Sequence, residues 1–356
     1  MPILQLNSFD QVPQRYRDQL SYNKTLQFFG SLEWFECLWE TIKEDGYQLR
    51  LYLYAPTDPS VVPCGLAFYT SSKPREMAAV ANYYTIEFLP IAPAHEDLRI
   101  QLAELFGHIF SESPSWRSVS MPLLDPEGAL YPSLVHSLKS RRYVPHIYSA
   151  TKRYYQDLSG MSFPEYIFNR SSKLKNTLTR KMKKLSKDHT WHVRIVFDGS
   201  KSVLDDFKQV YDRSWKEPEA YPDFIDRLVA LGDGMRAVVV GVLYVADRPV
   251  ASQLWLRSGA SFTIYKLAYD EAFKSYSVGS VLTQSLFYEV MTSGTVSTVD
   301  FGVGNESYKG EWLSQTADLV SVDVRSLYGS KGVVSLLRNR GLWRDPTVAP
   351  KLAGAS

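Results

Sequence analysis

The sequence predicts a mixed α/β protein of two halves, each a mostly antiparallel sheet flanked by helices. Three observations carry this expectation. Hydrophobic periodicity switches between runs of period 2 and runs of period 3.6 along the chain. The same order of runs, three strands, a helix and a strand, occurs twice. Between the two occurrences, "LSGMSFPEY" at 158–166 breaks the pattern with Gly and Pro.

In the first half, "SLEWFECLWETI" (31–42) places Leu32, Phe35, Leu38, Trp39 and Ile42 on one side of a helix. Strands are expected at "YQLRLYLYA" (47–55), "VVPCGLAFYT" (61–70) and "YYTIEFLPI" (83–91). A helix at 96–110, a strand at 116–122, a short helix near 129–140 and a strand near 142–150 follow. The second half opens with a basic helix and a helix around "SVLDDFKQVYDRSW" (202–215). Strands at 236–245, 248–257 and 261–268 then lead to a helix at 278–293 and strands at 295–302 and 319–325. "ADRP" (246–249) has the turn chemistry of a hairpin. The expected domains are 1–155 and 156–345, with an unanchored tail over 346–356.

A chain of 356 residues can bury a core without cross-links. Cys37 and Cys64 are the only cysteines and no Cys/His cluster exists, so neither a disulfide framework nor a metal site is expected. A reducing, cytoplasmic setting is the expectation. The N-terminal residues lack the basic and apolar segments of an export signal. The longest apolar run, Ala237 to Ala246, falls far short of the roughly 20 residues a membrane span needs. The motifs of P-loop nucleotide hydrolysis, serine esterases and zinc proteases are absent.

Net charge is +2, but eight Lys/Arg and no acidic residue lie between Tyr166 and Lys187. On a helix, Leu174, Leu178, Met182 and Leu185 form a packing stripe and leave the rest charged. The block is read first as scaffold and second as a surface for phosphate or tRNA. His189 and His192 lack a third ligand partner and read as residues at the start of a strand.

Chemistry is expected at two stretches of the second half. Gly279 opens a helix, where a small residue lets an anion approach the unpaired N–H groups. Tyr276, Ser277, Val278, Gly279 and Ser280 are therefore the candidate phosphate cradle, with Ser277 or Ser280 as cap. The same letters also fit an ordinary helix start. In "DFGVGNESYKGEW" (300–312), Gly302 and Gly304 permit a sharp turn after a strand. Lys309 suits an oxyanion, Tyr308 a proton relay and Glu306 a base toward an amine. A polar loop around a buried Trp312 is the other reading. Trp215, Lys216, Gln253, Tyr265 and Asp300 are candidate substrate contacts, Asp300 also as a strand-end residue that orients the loop.

The stretches 265–290 and 299–312 resemble the GNAT acyltransferase domain of CelD-type proteins, relatives of the Fem-type aminoacyltransferases. The family pattern has a tyrosine and an acidic residue, then Tyr-Ser-Pro-Gly opening a helix, then Asp-Phe-x-x-Gly with Tyr-Lys and Trp. Tyr269, Asp270, Tyr276, Ser277, Gly279, Asp300, Phe301, Gly304, Tyr308, Lys309 and Trp312 occupy those positions, and Val278 replaces the proline. The resemblance implies tandem GNAT folds, an acyl thioester or aminoacyl-tRNA as donor, and an amine acceptor. It places the donor's pyrophosphate near Gly279 and Lys309 at the reacting carbonyl.

The leading expectation is an N-acyltransferase using acyl-CoA, without metal, on a small-molecule, peptide or cell-envelope amine in a cleft between the halves. An aminoacyl-tRNA-dependent transferase is the second. A catalytically inactive tandem module that binds a carrier or polymer is the third.

Overall fold

The computed structural model describes residues 3–93, 97–138, 143–197, 201–232, 237–294, 296–304 and 306–327. The expected tail, and residues 328–345 before it, lie outside the described residues. The chain divides into two compact units, one of residues 1–152 together with the stretch from 317, the other of residues 153–316.

Unit 1 runs β1 (Ile3–Leu6), α1 (Gln14–Leu20), α2 (Tyr22–Thr25), α3 (Leu32–Ile42), β2 (Gln48–Tyr54), β3 (Cys64–Thr70) and β4 (Glu76–Ala79). It continues through α4 (Arg99–Ile109), β5 (Ser118–Leu124), α5 (Leu130–Leu138) and most of β6 (Tyr143–Asp157). Strands β1 to β4 pair antiparallel in sequence, and β4 then pairs parallel with β5.

Unit 2 runs α6 (Phe163–Phe168), α7 (Ser172–Asp188), β7 (Trp191–Val196), α8 (Lys201–Asp212), α9 (Phe224–Gly232), β8 (Val238–Val245), β9 (Arg248–Ser258) and β10 (Ser261–Tyr269). After a 3-10 turn at Glu271–Tyr276 come α10 (Val278–Thr292), β11 (Thr298–Val303) and α11 (Lys309–Trp312), and β12 (Gln315–Ser326) belongs to unit 1 from residue 317 on. Strands β7 to β10 pair antiparallel and β10 pairs parallel with β11. The twofold order expected from sequence is therefore present in the pairing. Each copy gains a further antiparallel strand: in unit 1 β12 pairs with β5, and in unit 2 the last residues of β6 pair with β11.

The core of unit 2 follows from composition. Strand β8, "VVVGVLYV", is buried at every position, as a central strand covered on both faces must be. Helix α7 buries Leu174, Leu178 and Leu185, three of the four stripe residues. Trp312 stacks on Phe287 with ring centroids 5.6 Å apart. Its carbonyl accepts bonds from the Tyr166 hydroxyl at 2.9 Å and Arg170 Nη1 at 2.6 Å. Ala246 and Asp247 both take positive φ in the two-residue turn between β8 and β9, as a tight hairpin requires.

One expected strand is displaced. The strand that follows β3 is β4 (Glu76–Ala79), and "YYTIEFLPI" is irregular apart from an isolated bridge between Ile91 and Gly65. Asn82 is the cause: its Oδ1 accepts the Tyr84 N–H, and its own N–H goes to Thr85 Oγ1. Such a side-chain turn competes with a ladder. Helix α9 carries no expectation from the sequence. Cys37 and Cys64 are buried free thiols, and no helix among the described residues is long and apolar enough to cross a membrane.

Gly241 in β8 faces α10 so closely that a Cβ there would lie 2.9 Å from Leu286 Cδ2. Gly241→Val is expected to destabilise by about 1–3 kcal/mol through overpacking, read as a lower urea midpoint at unchanged m-value.

Candidate active site

Strands β10 and β11 pair at only three positions, the last joining Thr263 to Asp300. Just beyond that level each strand carries one extra residue. Tyr265 bulges β10 against β9, and β11 gains a residue against β6 between Asp300 and Val303. A bulge bends its strand and raises its twist. Two bulges at one level part the strands and free the facing edges of their C-terminal ends. Helix α10 starts beside the end of β10, and the loop to α11 leaves the end of β11.

The β11 side is held by ionic and backbone contacts. Gly302 takes φ +62°, and its N–H donates to Asp300 Oδ1. Arg153 Nε lies 3.5 Å from the Asp300 carboxylate. Burial raises the Asp300 carboxyl, against the charge of Arg153. Both known partners of Asp300 lie at the strand end, so of its two expected roles the structure supports loop orientation over substrate contact. Lys309 is buried, and its Nζ donates to the Val303 carbonyl at 2.6 Å and lies 3.0 Å from Glu306 Oε2. Burial works to raise the Glu306 carboxyl, but the Lys309 hydrogen bond and charge outweigh it and hold the group low. Glu306 is thus better placed to orient Lys309 than to take a proton. The exposed Tyr308 ring meets Phe301 edge-on at 5.6 Å. Desolvation and the Glu306 charge push its hydroxyl up to about 12, so it stays a proton donor at neutral pH.

On the β10 side the structure corrects the sequence reading at Ser277 and at Gln253. Ser277 flanks α10 in the left-handed region, φ +52°, and its side chain does not cap the helix. Among the described residues no side chain accepts from the first-turn N–H groups of Val278, Gly279 and Ser280. The Val278 side chain is fully buried, so only its backbone can meet a ligand. At Gly279 a Cβ would lie 3.2 Å from the Tyr269 ring, so a larger residue would press on that ring. Gln253 is a buried clamp instead of a substrate contact. Its Nε2 donates to Thr283 Oγ1 at 2.6 Å and to the Gly279 carbonyl at 3.2 Å, and its Oε1 accepts from Trp255 Nε1 at 2.9 Å. Tyr276 donates to Asp188 at 3.1 Å and lies under Lys184 Nζ at 4.5 Å, while Lys181 Nζ reaches the Ser275 carbonyl. Helix α7 thus brings two lysines to the start of α10.

The stretch after α8 supplies a third wall. Arg213 pins it by donating to the Pro249 carbonyl at 2.6 Å and lying 3.6 Å from Asp270. Trp215 packs on Tyr269 at 4.5 Å. Lys216 is largely enclosed, and burial, reinforced by Lys266, lowers its ammonium to about 8. The charges of Glu219, Glu306 and Lys309 also act on it. Lys266 and Glu219 pair at 2.6 Å with both side chains nearly buried, and Tyr265 lies 5.9 Å from the Lys266 ammonium. Sequence reading missed Arg153, Glu219 and Lys266. Lys266 was detectable only as a charge inside an apolar strand run. No group of acidic, His or Cys side chains among the described residues could hold a metal ion.

The acetyltransferase (GNAT) domain family matches residues 172–310, which contain α7 to β11 and the loop to Lys309. This part of the chain is a GNAT domain. Comparison with the curated proteins gives no match. Among solved structures the chain resembles FemX, at 10% identity over 95% of this chain and 100% of that one, TM-score 0.59. It also resembles a conserved protein of unknown function from Bacteroides thetaiotaomicron, at 12% identity over 90% and 100%, TM-score 0.52. A third likeness is to L-PGS from Bacillus licheniformis, at 12% identity over 89% and 98%, TM-score 0.50. At these identities the likeness is one of fold. Unit 1 repeats the strand order of the GNAT domain, so the chain is a tandem of two GNAT-like folds.

Gly304 takes φ +131°, and a Cβ there would stand 2.2 Å from Glu306 Oε2 and 2.6 Å from Lys309 Nζ. Gly304→Ala is expected to cost about 1–2 kcal/mol of stability and to open the Lys309–Glu306 contact. Lys309, protected from amine-acylating reagents in the parent protein, should then become reactive, as peptide mass mapping would show.

Proposed function

We propose that unit 2 is an N-acyltransferase that moves an acyl group from an acyl-CoA thioester to an amine. The observation that carries this reading is the parting of β10 and β11, with uncapped helix N–H groups on one side and a Tyr-Lys-Glu cluster on the other. Phosphate oxygens suit the first turn of α10, where donors and the positive end of the helix meet. An extended, amide-bearing chain suits the free strand edges, which offer backbone donors and acceptors.

The amine nitrogen attacks the thioester carbon, the C–S bond breaks, and the amine proton passes to the departing sulfur. The thioester is already activated, so positioning and charge stabilisation supply most of the acceleration. Lysine has three N–H donors. Two of those on Lys309 are directed to Val303 and Glu306, which leaves the third for the developing oxyanion. Tyr308 is the protonated hydroxyl that serves the leaving sulfur.

Lys309→Ala is expected to reduce kcat by about 10²-fold or more, the scale of a lost oxyanion donor, with the acyl-CoA affinity unchanged in a thermal-shift titration. Normal turnover in that variant removes Lys309 from the mechanism.

A second donor, aminoacyl-tRNA, is favoured by the basic face of α7, which delivers Lys181 and Lys184 to the start of α10, where Asp188 is the one acid of the helix. Charge-driven tRNA binding weakens steeply with salt. Retention of tRNA at low salt, lost by a few hundred millimolar, would replace acyl-CoA with this donor; absence of retention at low salt excludes it.

A further inference from the structure

The charges around Lys216 do not balance. Four charged side chains act on Lys216: Lys266, Glu219, Glu306 and Lys309. Each glutamate is committed elsewhere, Glu219 to Lys266 at 2.6 Å and Glu306 to Lys309 at 3.0 Å. Asp300, the next carboxylate along β11, faces Arg153. Lys216 forms no ion pair among the described residues, and its nearest ring, Tyr211, lies 5.6 Å away. Its backbone is nonetheless fixed, because its N–H donates to Ser214 Oγ and the preceding Arg213 is anchored to Pro249. A largely buried, unpaired ammonium on a pinned backbone is costly unless an anion completes it.

We infer that the acceptor amine also carries a carboxylate, received by the Lys216 ammonium between the Lys266–Glu219 and Lys309–Glu306 pairs. This rests on the acyltransfer reading. One surplus positive charge calls for one negative charge, which a carboxylate supplies and a phosphate dianion exceeds. Trp215, packed at a tilt on Tyr269 and half exposed, borders the place where the body of such an acceptor lies. Burial first, and the Lys266 charge second, favour the neutral Lys216 amine until an anion arrives.

The test compares the proteinogenic amino acids with their decarboxylated amines, by calorimetric binding to the full chain and by CoA release from acetyl-CoA and longer acyl-CoAs. Preferred amino acids should bind about ten-fold or more tightly than their amine counterparts, the scale of a charge-assisted bond. Lys216→Met should abolish the preference and Lys216→Arg retain it. In the parent protein the preference should fall as pH rises through about 8, where Lys216 loses its charge, and it should persist there in Lys216→Arg. If no amino acid binds more tightly than its amine, or if Lys216→Met keeps the preference, the inference is overturned. Carboxylate-dependent binding without CoA release from any acyl-CoA would leave the anion site standing and remove the acyl-CoA reading instead. CoA release with equal KM for acid and amine would do the reverse.

Discussion

Two bulges at one level of a parallel strand pair are the constraint on which the rest of unit 2 depends. Without Tyr265 in β10 and the extra residue after Asp300 in β11, the ladder begun at Ser261 and Thr298 would run on and close. With them, backbone groups that would otherwise bond across the strands face an opening, and polar backbone groups must find partners somewhere. Each lip of the opening is then stiffened locally. Gln253 ties the first turn of α10 to β9 through the Gly279 carbonyl and Thr283, while Asp300, Gly302 and Arg153 fix the turn off β11. The side chains that look most polar in sequence are partly consumed in building the opening.

That division also decides which groups remain chemically free. Gln253 and Asp300 have every appearance of substrate contacts in a linear reading, yet one is a core clamp and the other a hinge pin. Glu306 is held ionised by Lys309 and in turn keeps Lys309 beside the opening. Tyr308 projects outward with a hydroxyl that stays protonated. The N–H groups of α10 are spared because Ser277, in a left-handed conformation, does not cap them. Vacant donors at both ends of the opening are what a polar, activated acyl donor needs.

The sequence made the order of elements legible because β8, β9 and α7 obey simple periodicities. It also exposed the Tyr308–Lys309 loop, since glycines on either side of a strand end mark a turn. The misread parts share one physical cause: side chains whose role is set by a distant partner. "YYTIEFLPI" has strand composition, but an Asn82 turn overrides it; "EMAA" has little strand preference, yet pairs because β3 and β5 flank it. Gly279 lies against the ring of Tyr269, ten residues earlier, a contact no local pattern shows. Likewise Lys266 and Glu219 lie 47 residues apart, and no local pattern announces their pairing.

The same reasoning accounts for the contrast between the two halves. In unit 1 the parallel strands β4 and β5 also pair at three positions, Glu76 to Ala78 with Ser118 to Ser120. There, however, the chain between β4 and α4 turns back on its own opening. The Phe88 N–H donates to the Leu123 carbonyl near the end of β5, and the Ile91 N–H and carbonyl bond to Gly65 on β3. Phe88 is buried and packs against Phe68 and Phe35. The backbone groups that face an opening in unit 2 meet protein in unit 1, and no Tyr-Lys pair follows β5. In unit 2 only the 3-10 turn at Glu271–Tyr276 separates β10 from α10, too short a connection to fold back over the strand ends as the longer one does in unit 1.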